Sequence, residues 1–183
     1  MSHSITVAQL LVEHLALFQD LTMTNGVLDL ACGSGRNGIY LARHQIPVTF
    51  ADNNEVALAG VKAQLADTGL AGEIWQVDLE QAGTAVLQGK SFDAVVAFNY
   101  LHRPLFPQLK SIIRPGGIIC YETFTVAQAQ FGRPSNPDFL LSPEELSHIF
   151  KDWKVLHKYE GELTNPQRAV AQIIARKPQE LSS

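Results

Sequence analysis

The chain has 183 residues, 46% of them hydrophobic, and a formal net charge of −4 at pH 7. This length and composition predict one globular domain over residues 1–183, large enough to bury a core. The Lys and Arg residues form no block, whereas a nucleic-acid-binding protein usually presents a basic face. No segment has the apolar length that spans a bilayer. We therefore expect neither a nucleic acid nor a membrane among its partners.

Two features bear on where the protein acts. Cys32 and Cys120 lie in different segments, and two such cysteines do not make a disulfide framework, so a reducing compartment is expected. The apolar N-terminal segment lacks a basic start and is interrupted by polar residues such as Glu13 and Asp20, so it differs from an export signal. These observations predict a cytoplasmic protein.

The N-terminal region, residues 1–22, is predicted to contain one helix over residues 4–19. Polar residues recur there near the helical period and leave one apolar side, formed by Leu10, Leu11, Leu15 and Phe18. Two interpretations of this helix are open. It either packs on the edge of the domain or acts as a lid over a bound ligand.

The most informative stretch runs from Val27 to Gly38. An apolar run passes into a turn that holds Gly33 and Gly35, and a helical pattern follows. The glycines match the G-x-G-x-x-G spacing, which suggests a dinucleotide pyrophosphate at the helix start. Asp29 argues against that ligand, because a carboxylate near the strand end repels phosphates and attracts a cation. S-adenosylmethionine (AdoMet) carries a sulfonium and an ammonium, so the charge pattern favours AdoMet.

Strand and helix patterns alternate along the following part of the chain, which predicts an α/β fold with a doubly wound, mostly parallel sheet. The strands are expected at 47–52, 73–78, 91–99 and 118–123, and the helices at 36–44, after an Asn53 or Asn54 cap, and at 104–113. A helix at 142–150 and strands at 154–160 and 168–176 come last. The turn at 161–166 is too short for a crossover helix, so these last strands should be antiparallel.

Aspartates stand at the ends of three successive strands. In open α/β sheets, ligands bind outside the carboxyl ends of the strands. Asp52 follows Gly33 by 19 residues, a suitable place for a carboxylate that accepts ribose hydroxyls. Asp78 is placed to accept from an adenine amino group, with Leu79 packing on the ring. The alternative is that each aspartate caps a helix or a turn.

Residues 27–42 resemble motif I of the class I AdoMet-dependent methyltransferases, particularly the small tellurite-resistance-type group. The resemblance extends through the Asp52 and Asp78 strands to the closing hairpin. It implies a seven-stranded sheet of order 3-2-1-4-5-7-6 with strand 7 antiparallel. It also implies that the glycine turn approaches the methionine part of AdoMet. Ala31 departs from the motif, which usually has its first glycine there. The expected cofactor-binding residues are Asp29, Ala31, Gly33, Gly35, Arg36, Asn37, Asp52, Asn53, Asp78, Leu79 and Asn99.

Catalytic candidates follow the fourth and fifth strands. His102 has a pKa range suited to proton removal, and it is otherwise a packing or capping residue. Tyr100 is a second candidate. Glu122 lies inside an apolar strand, where a carboxylate needs a partner or a function; it either binds substrate or accepts hydrogen bonds from neighbouring backbone. Arg103 either holds an anionic acceptor or is a solvated residue at a helix start.

The segment 126–141, which we call the acceptor-side loop, is long and irregular, and such loops are often functional. Phe131 and Arg133 are expected to close over the acceptor, and the loop to be mobile without ligand. The histidines show no ligand spacing with cysteines or acids, so no metal site is expected.

The sequence therefore predicts an AdoMet-dependent methyltransferase that transfers methyl directly to a small-molecule acceptor. The resemblance suggests an anionic or a chalcogen-containing acceptor. Two alternatives stay open: a nicotinamide-dependent oxidoreductase that uses the same glycine turn, and a non-catalytic AdoMet-binding module. The protein is expected to be a monomer or a homodimer.

Overall fold

The computed structural model describes residues 6–179, and in this part of the chain helices cover both faces of a seven-stranded sheet. The strands are β1 (Val27–Leu30), β2 (Val48–Asp52), β3 (Glu73–Gln76), β4 (Phe92–Phe98), β5 (Ile113–Phe124), β6 (Lys154–Thr164) and β7 (Gln167–Arg176). The α-helices are α1 (Gln9–Glu13), α2 (Leu15–Gln19), α3 (Arg36–Arg43), α4 (Glu55–Thr68), α5 (Phe106–Ile112) and α6 (Glu145–Ile149). None of these helices combines the length and apolarity needed to cross a membrane.

The sheet has the order β3-β2-β1-β4-β5-β7-β6. The first five strands in this order pair in parallel, and β7 is antiparallel to both β5 and β6. The predicted fold class and strand order are therefore confirmed. This topology brings the carboxyl ends of β1 to β5 to one edge of the sheet, where an open α/β sheet binds its ligands.

Both faces of the sheet are buried, which explains why the central strands read as continuous apolar runs. On one face, Leu28, Val95 and Tyr121 join a core that includes residues of α5 and α6. On the other, Val96 and Cys120 join a core that includes residues of α1 to α4. Successive side chains of one strand point to opposite faces of the sheet, so neighbouring residues of a strand belong to different cores.

The N-terminal helix differs from the expectation. Two five-residue helices, α1 and α2, replace the single helix predicted over 4–19, and the start of that range lies outside the described residues. The break falls at His14, whose ring nitrogen Nδ1 lies 3.0 Å from the carbonyl oxygen of Leu10. In an unbroken helix this carbonyl would accept from the His14 backbone N–H. The side chain competes for the same acceptor, and the helix is interrupted.

Other boundaries shift for local reasons. β5 begins at Ile113 rather than 118, and its pairing with β4 skips from Ile113 to Ile118, so residues 114–117 form an irregularity within the strand. Residues 161–164 continue the β6–β7 pairing, which leaves only residues 165 and 166 between the two strands. α6 begins at Glu145 because Glu144 has a φ of 61°, outside the helical region. The Ser142 backbone N–H donates to the Glu145 carboxylate, as in one half of a capping box.

Asp93 joins the loop before β1 to the start of β4. Its carboxylate is fully buried and accepts from three successive backbone N–H groups, those of Thr24, Asn25 and Gly26, each at 2.7 Å. The Arg114 guanidinium also donates to it. Burial acts to raise the pKa of this carboxyl, but the hydrogen bonds from Arg114 and from the backbone outweigh burial and hold the pKa below its usual range.

Replacing Asp93 by Ala is expected to lower the free energy of unfolding by about 3–5 kcal/mol, because Arg114 and three amides lose their shared acceptor. Asp152→Ala is a control, since Asp152 is an exposed partner of Lys110 at 3.8 Å and such surface pairs contribute about 0–1 kcal/mol. Urea unfolding at pH 7 measures both changes. Equal losses in the two variants would contradict the role given to Asp93.

Candidate active site

Three adjoining clefts run along the carboxyl ends of the parallel strands. The glycine cleft, about 280 Å³, is lined by Asp29, Ala31, Cys32, Gly33, Ser34, Arg36, Asn37, Phe98 and Asn99. The acidic cleft, about 220 Å³, is lined by Ala31, Asp52, Asn53, Val77, Asp78, Leu79, Glu80 and Tyr100. The aromatic cleft, about 280 Å³, is lined by Glu80, Asn99, Tyr100, Leu101, Thr123, Phe124, Pro134 and Phe139. Because neighbouring clefts share lining residues, they form one groove.

The groove brings together the residues expected to bind the cofactor. All of them except Gly35 line the glycine cleft, the acidic cleft or both. Gly35 is buried beside α4, where an added Cβ would come within 2.7 Å of a Val61 methyl carbon. Gly38, the third glycine of the spacing, would meet Phe50 and the Asp29 carboxylate in the same way. These two glycines therefore allow α3 to pack closely on the sheet.

Gly33 differs from the other two glycines. A Cβ added at Gly33 would have no heavy atom within 4 Å, so the backbone here faces open space in the cleft. Ala31 and Asn99, at the ends of the adjacent strands β1 and β4, both have left-handed backbone, with φ values of 52° and 57°. Such conformations cost non-glycine residues about 1–2 kcal/mol and concentrate at functional sites. Ala31 therefore departs from the motif in residue type but keeps the left-handed backbone that a glycine adopts easily.

Asp29 supplies a buried carboxyl group at the bottom of the glycine cleft. It is only 3% exposed, and one oxygen accepts the Gly38 backbone N–H at 2.9 Å. Burial raises the pKa of Asp29 to about 7, although the Gly38 hydrogen bond and the nearby Arg36 charge act in the opposite direction. A cationic ligand in this cleft would favour the ionised form of the carboxyl group.

Asp52 and Asp78 are held by their own loops. The two oxygens of Asp52 accept the Gly33 N–H at 2.7 Å and the Asn54 N–H at 2.9 Å. One oxygen of Asp78 accepts the Glu80 N–H at 3.0 Å. A carboxylate oxygen has two lone pairs, so each aspartate is oriented by the backbone and keeps acceptor capacity toward the acidic cleft. The turn-capping and ligand-binding interpretations are therefore compatible.

Tyr100 stands where the acidic and aromatic clefts meet. Its hydroxyl is buried and makes no hydrogen bond of good geometry within residues 6–179. Burial raises the pKa of this phenol, and the carboxylates of Glu80, Asp78 and Asp52 add to the effect, so the hydroxyl stays protonated at neutral pH. Tyr100 is the one catalytic candidate of the sequence analysis that lines the groove.

The other two catalytic candidates lie outside the three clefts. His102 is half-buried and precedes a short 3₁₀ helix, where its carbonyl accepts the Leu105 N–H. Glu122 is buried, and its carboxylate accepts from Arg168 at 3.0 Å and from Gln172 at 2.6 Å. These two side chains on β7 account for the carboxylate inside an apolar strand, so neither of its expected roles is needed to explain its burial.

Arg103 begins a short 3₁₀ helix and is exposed, as one of its two interpretations expects, but its side chain is also held by several partners. Its guanidinium donates to both oxygens of Glu145, at 2.7 and 2.9 Å, and to the backbone carbonyls of Asp138 and Leu140. The Glu145 hydrogen bond raises the pKa of Arg103 further above its usual value. The arginine therefore ties the acceptor-side loop to α6 and fixes the backbone on both sides of Phe139.

The acceptor-side loop contributes residues that the sequence analysis missed. The loop contains two short 3₁₀ helices, Val126–Gln130 and Pro137–Phe139. Pro134 and Phe139 line the aromatic cleft, whereas Phe131 and Arg133 do not. The length of the loop indicated its importance, but no periodic pattern indicates which of its side chains turn inward. Glu80 was also missed, because it lies beyond the strand-end aspartate in a segment without regular structure.

A larger cavity than any of the three clefts, about 590 Å³, lies elsewhere. Its lining includes Gly26, Pro47 and Glu73, next to the amino ends of β1 to β3. This is the edge opposite to the one where α/β sheets bind their ligands. Size alone therefore does not identify the site here. In the described part of the chain, no group of three His, Cys, Asp or Glu side chains is placed to hold a metal ion.

Comparisons with known proteins identify the type of domain. A family profile described as "Methyltransferase domain" matches residues 27–117, the stretch that holds the glycine turn, Asp52 and Asp78. A probable S-adenosyl-L-methionine-dependent methyltransferase, TehB of Haemophilus influenzae, is 28% identical over 145 residues, which are 75% of this chain and 49% of that protein. The uncharacterized methyltransferase YodH of Bacillus subtilis is 29% identical over 98 residues, 51% of this chain and 40% of that protein.

A solved structure gives the same result as the sequence comparisons. The crystal structure of TehB from Haemophilus influenzae matches with a TM-score of 0.68 and 27% identity, covering 82% of this chain and 57% of that one. The chain spans about half the length of the curated relatives it matches. The likeness to the tellurite-resistance-type group is thereby confirmed, and the cofactor that the family implies is AdoMet. Residues 27–117 therefore form a methyltransferase domain of the class I AdoMet-dependent type.

Proposed function

We propose that this protein transfers the methyl group of AdoMet directly to a small molecule, and that the three clefts divide the two substrates between them. The main support for this proposal is that the three clefts adjoin one another. The glycine and acidic clefts share Ala31, and the aromatic cleft shares Asn99 with the first and Tyr100 with the second. A cofactor held in the first two clefts would therefore border a molecule held in the third.

The described residues suit AdoMet in three ways. The glycine cleft offers bare backbone at Gly33 and the buried carboxyl of Asp29, which complements a cationic methionine part. Asp52 has acceptor capacity for ribose hydroxyls, and Asp78 has it for the adenine amino group. A carboxylate-rich cleft disfavours a diphosphate, so the oxyanion-bearing nicotinamide cofactors fit it poorly. The cofactor, when bound, supplies a methyl carbon that is already activated by a sulfonium.

The protein's task is then to align the acceptor and exclude water. We assign the acceptor to the aromatic cleft, whose walls are Phe124, Phe139 and Tyr100. Because the Tyr100 phenol stays protonated, it serves as a hydrogen-bonding and packing residue rather than as a general base. Glu122 is engaged with β7, and His102 lies outside the cleft. The proposed transfer therefore relies on alignment and not on a general base from these residues.

The N-terminal segment supports a covering role for the region around α1. The Ala8 backbone N–H donates to the Asn37 side-chain oxygen at 2.9 Å, and Asn37 lines the glycine cleft. Leu10, Leu11 and Phe18 pack into the core at the same time. We propose that this segment both packs on the domain and borders the cofactor. The cytoplasmic location and the monomeric or homodimeric state stay predictions.

Replacing Asp52 by Ala is expected to raise the Kd for AdoMet by about 10- to 100-fold, since a lost hydrogen bond to a charged group costs about 1.5–3 kcal/mol. Isothermal titration calorimetry measures the change, and Asp67→Ala on the exposed end of α4 is the matched control. Titration of the unaltered protein with NAD should show no binding. An unchanged Kd in Asp52→Ala, or binding of NAD without AdoMet, would remove the proposed function.

The raised pKa of Asp29 predicts a pH dependence of cofactor binding. Between pH 6 and pH 8 the carboxyl passes from mostly protonated to mostly ionised, since its pKa is about 7, and only the ionised form attracts a cation. Asp29→Asn keeps an acceptor for Gly38 but removes this titration. The ratio of the variant's Kd for AdoMet to the Kd of the unaltered protein should therefore be about tenfold larger at pH 8 than at pH 6.

Comparing the two proteins at each pH removes the titration of AdoMet itself. Thermal unfolding without ligand provides a second check. Because the pKa of Asp29 is higher in the folded protein than its usual 3.8, the folded state holds the proton more strongly, and this contribution to stability is lost as the pH rises from about 4 to 7. The variant's amide does not titrate and avoids that loss, so Asp29→Asn should gain relative stability as the pH rises. Parallel pH profiles in both measurements would refute the role of Asp29.

A further inference from the structure

The aromatic cleft has a distinct chemical character. Three of its lining residues are aromatic, namely Tyr100, Phe124 and Phe139, and within residues 6–179 its one charged lining residue is Glu80, which is exposed. Among the described residues, no lysine, arginine or histidine lines this cleft. Aromatic faces and a carboxylate both attract positive charge. The cleft is therefore poorly suited to an anion and well suited to a cation.

The two arginines closest in sequence to residues of the cleft do not change this balance. Arg133, which precedes Pro134, is exposed and does not line the cleft. Arg103 is bound by the Glu145 carboxylate and by the carbonyls of Asp138 and Leu140. Its charge is thus neutralised by an ion pair on the outer side of the acceptor-side loop. Arg103 holds the backbone on both sides of Phe139, which lines the cleft. Its donors are already used, so no pair is free to bind an oxyanion in the bidentate geometry typical of arginine.

Size and hydrogen bonding narrow the ligand further. The cleft volume of about 280 Å³ lies just below the range of about 300–1,000 Å³ that is typical of ligand pockets, which favours a small ligand. The buried Tyr100 hydroxyl makes no hydrogen bond of good geometry within residues 6–179, although the Glu80 carboxylate lies close enough to act on its pKa as a hydrogen-bond acceptor. Buried hydroxyls usually have a well-formed partner. A hydroxyl can both donate and accept, so an amine in the cleft would give Tyr100 a partner.

We propose that the methyl acceptor of this protein is a small, apolar amine, bound in the aromatic cleft with its nitrogen near Glu80 and Tyr100. This inference rests on the proposed function. The cleft attracts the amine as an ammonium ion, which first releases one proton to water. The nitrogen lone pair of the free amine then forms a bond to the methyl carbon, and the carbon–sulfur bond breaks with its electron pair staying on sulfur. The positive charge passes from sulfur to nitrogen, where the Glu80 carboxylate stabilises it, and a second proton is then released to water.

Binding of uncharged and charged probes of matched size tests this assignment. The full chain is first shown to bind AdoMet by calorimetry and is then saturated with S-adenosylhomocysteine. It is titrated with benzylamine, benzyl alcohol and benzoate, and separately with selenite, while protein NMR shifts are followed. We expect benzylamine to bind at least about tenfold more tightly than benzoate or selenite, because only the amine is attracted by Glu80. Initial rates of S-adenosylhomocysteine formation from AdoMet should rank the probes in the same order.

Glu80→Gln separates the charge effect from a structural one. This variant should lose about tenfold in affinity for benzylamine and less than about twofold for benzyl alcohol, while Asp67→Asn on the surface of α4 should change neither affinity. Benzoate or selenite binding as tightly as benzylamine would overturn the proposal, and so would an absence of binding by all the probes or an equal loss for amine and alcohol in Glu80→Gln. Failure to bind AdoMet in the first step would instead overturn the proposed function.

Discussion

The hydrogen bond between the Asp29 carboxylate and the Gly38 backbone N–H is the contact on which the site depends. It joins the end of β1 to the first turn of α3 at 2.9 Å, and it requires a residue without Cβ at position 38, because a Cβ there would meet the same carboxylate at 2.7 Å. The bond holds a carboxyl group where solvent is excluded, and the glycine cleft opens directly above it. One short-range interaction thus links the strand to the helix that follows the glycine turn and orients the buried carboxyl group of the pocket.

Much of the architecture could be predicted from the sequence, because a parallel sheet with two covered faces leaves a clear pattern. The buried runs of β1 and β4, the strand-end aspartates and the short connection before β7 each follow from local rules. The aspartates of the glycine and acidic clefts could be predicted for the same reason, because their positions are set by where the strands end. Asp29, Asp52 and Asp78 needed no tertiary information beyond the parallel arrangement of the strands.

The aromatic cleft and the acceptor-side loop were harder to predict from the sequence, because their residues meet through contacts between distant segments. Arg103 and Glu145 are 42 residues apart, and neither shows in the sequence that it pairs with the other. Glu122 illustrates the opposite error. A carboxylate in an apolar strand suggested chemistry, but its partners Arg168 and Gln172 come from β7. The split of the N-terminal helix likewise depends on one side-chain contact, that of His14, which periodicity does not reveal.

The attachment of the acceptor-side loop has an evolutionary consequence. Its two ends lie side by side, since Val126 donates to the Leu141 carbonyl at 3.0 Å and Leu141 donates to the Phe124 carbonyl at 2.9 Å. A segment with neighbouring ends can be lengthened, shortened or exchanged without moving the sheet. The loop holds Pro134 and Phe139, which line the aromatic cleft. The aspartates of the glycine and acidic clefts lie elsewhere in the chain. If the proposed division of the groove holds, homologues can exchange this loop and change their acceptor while the glycine and acidic clefts stay the same.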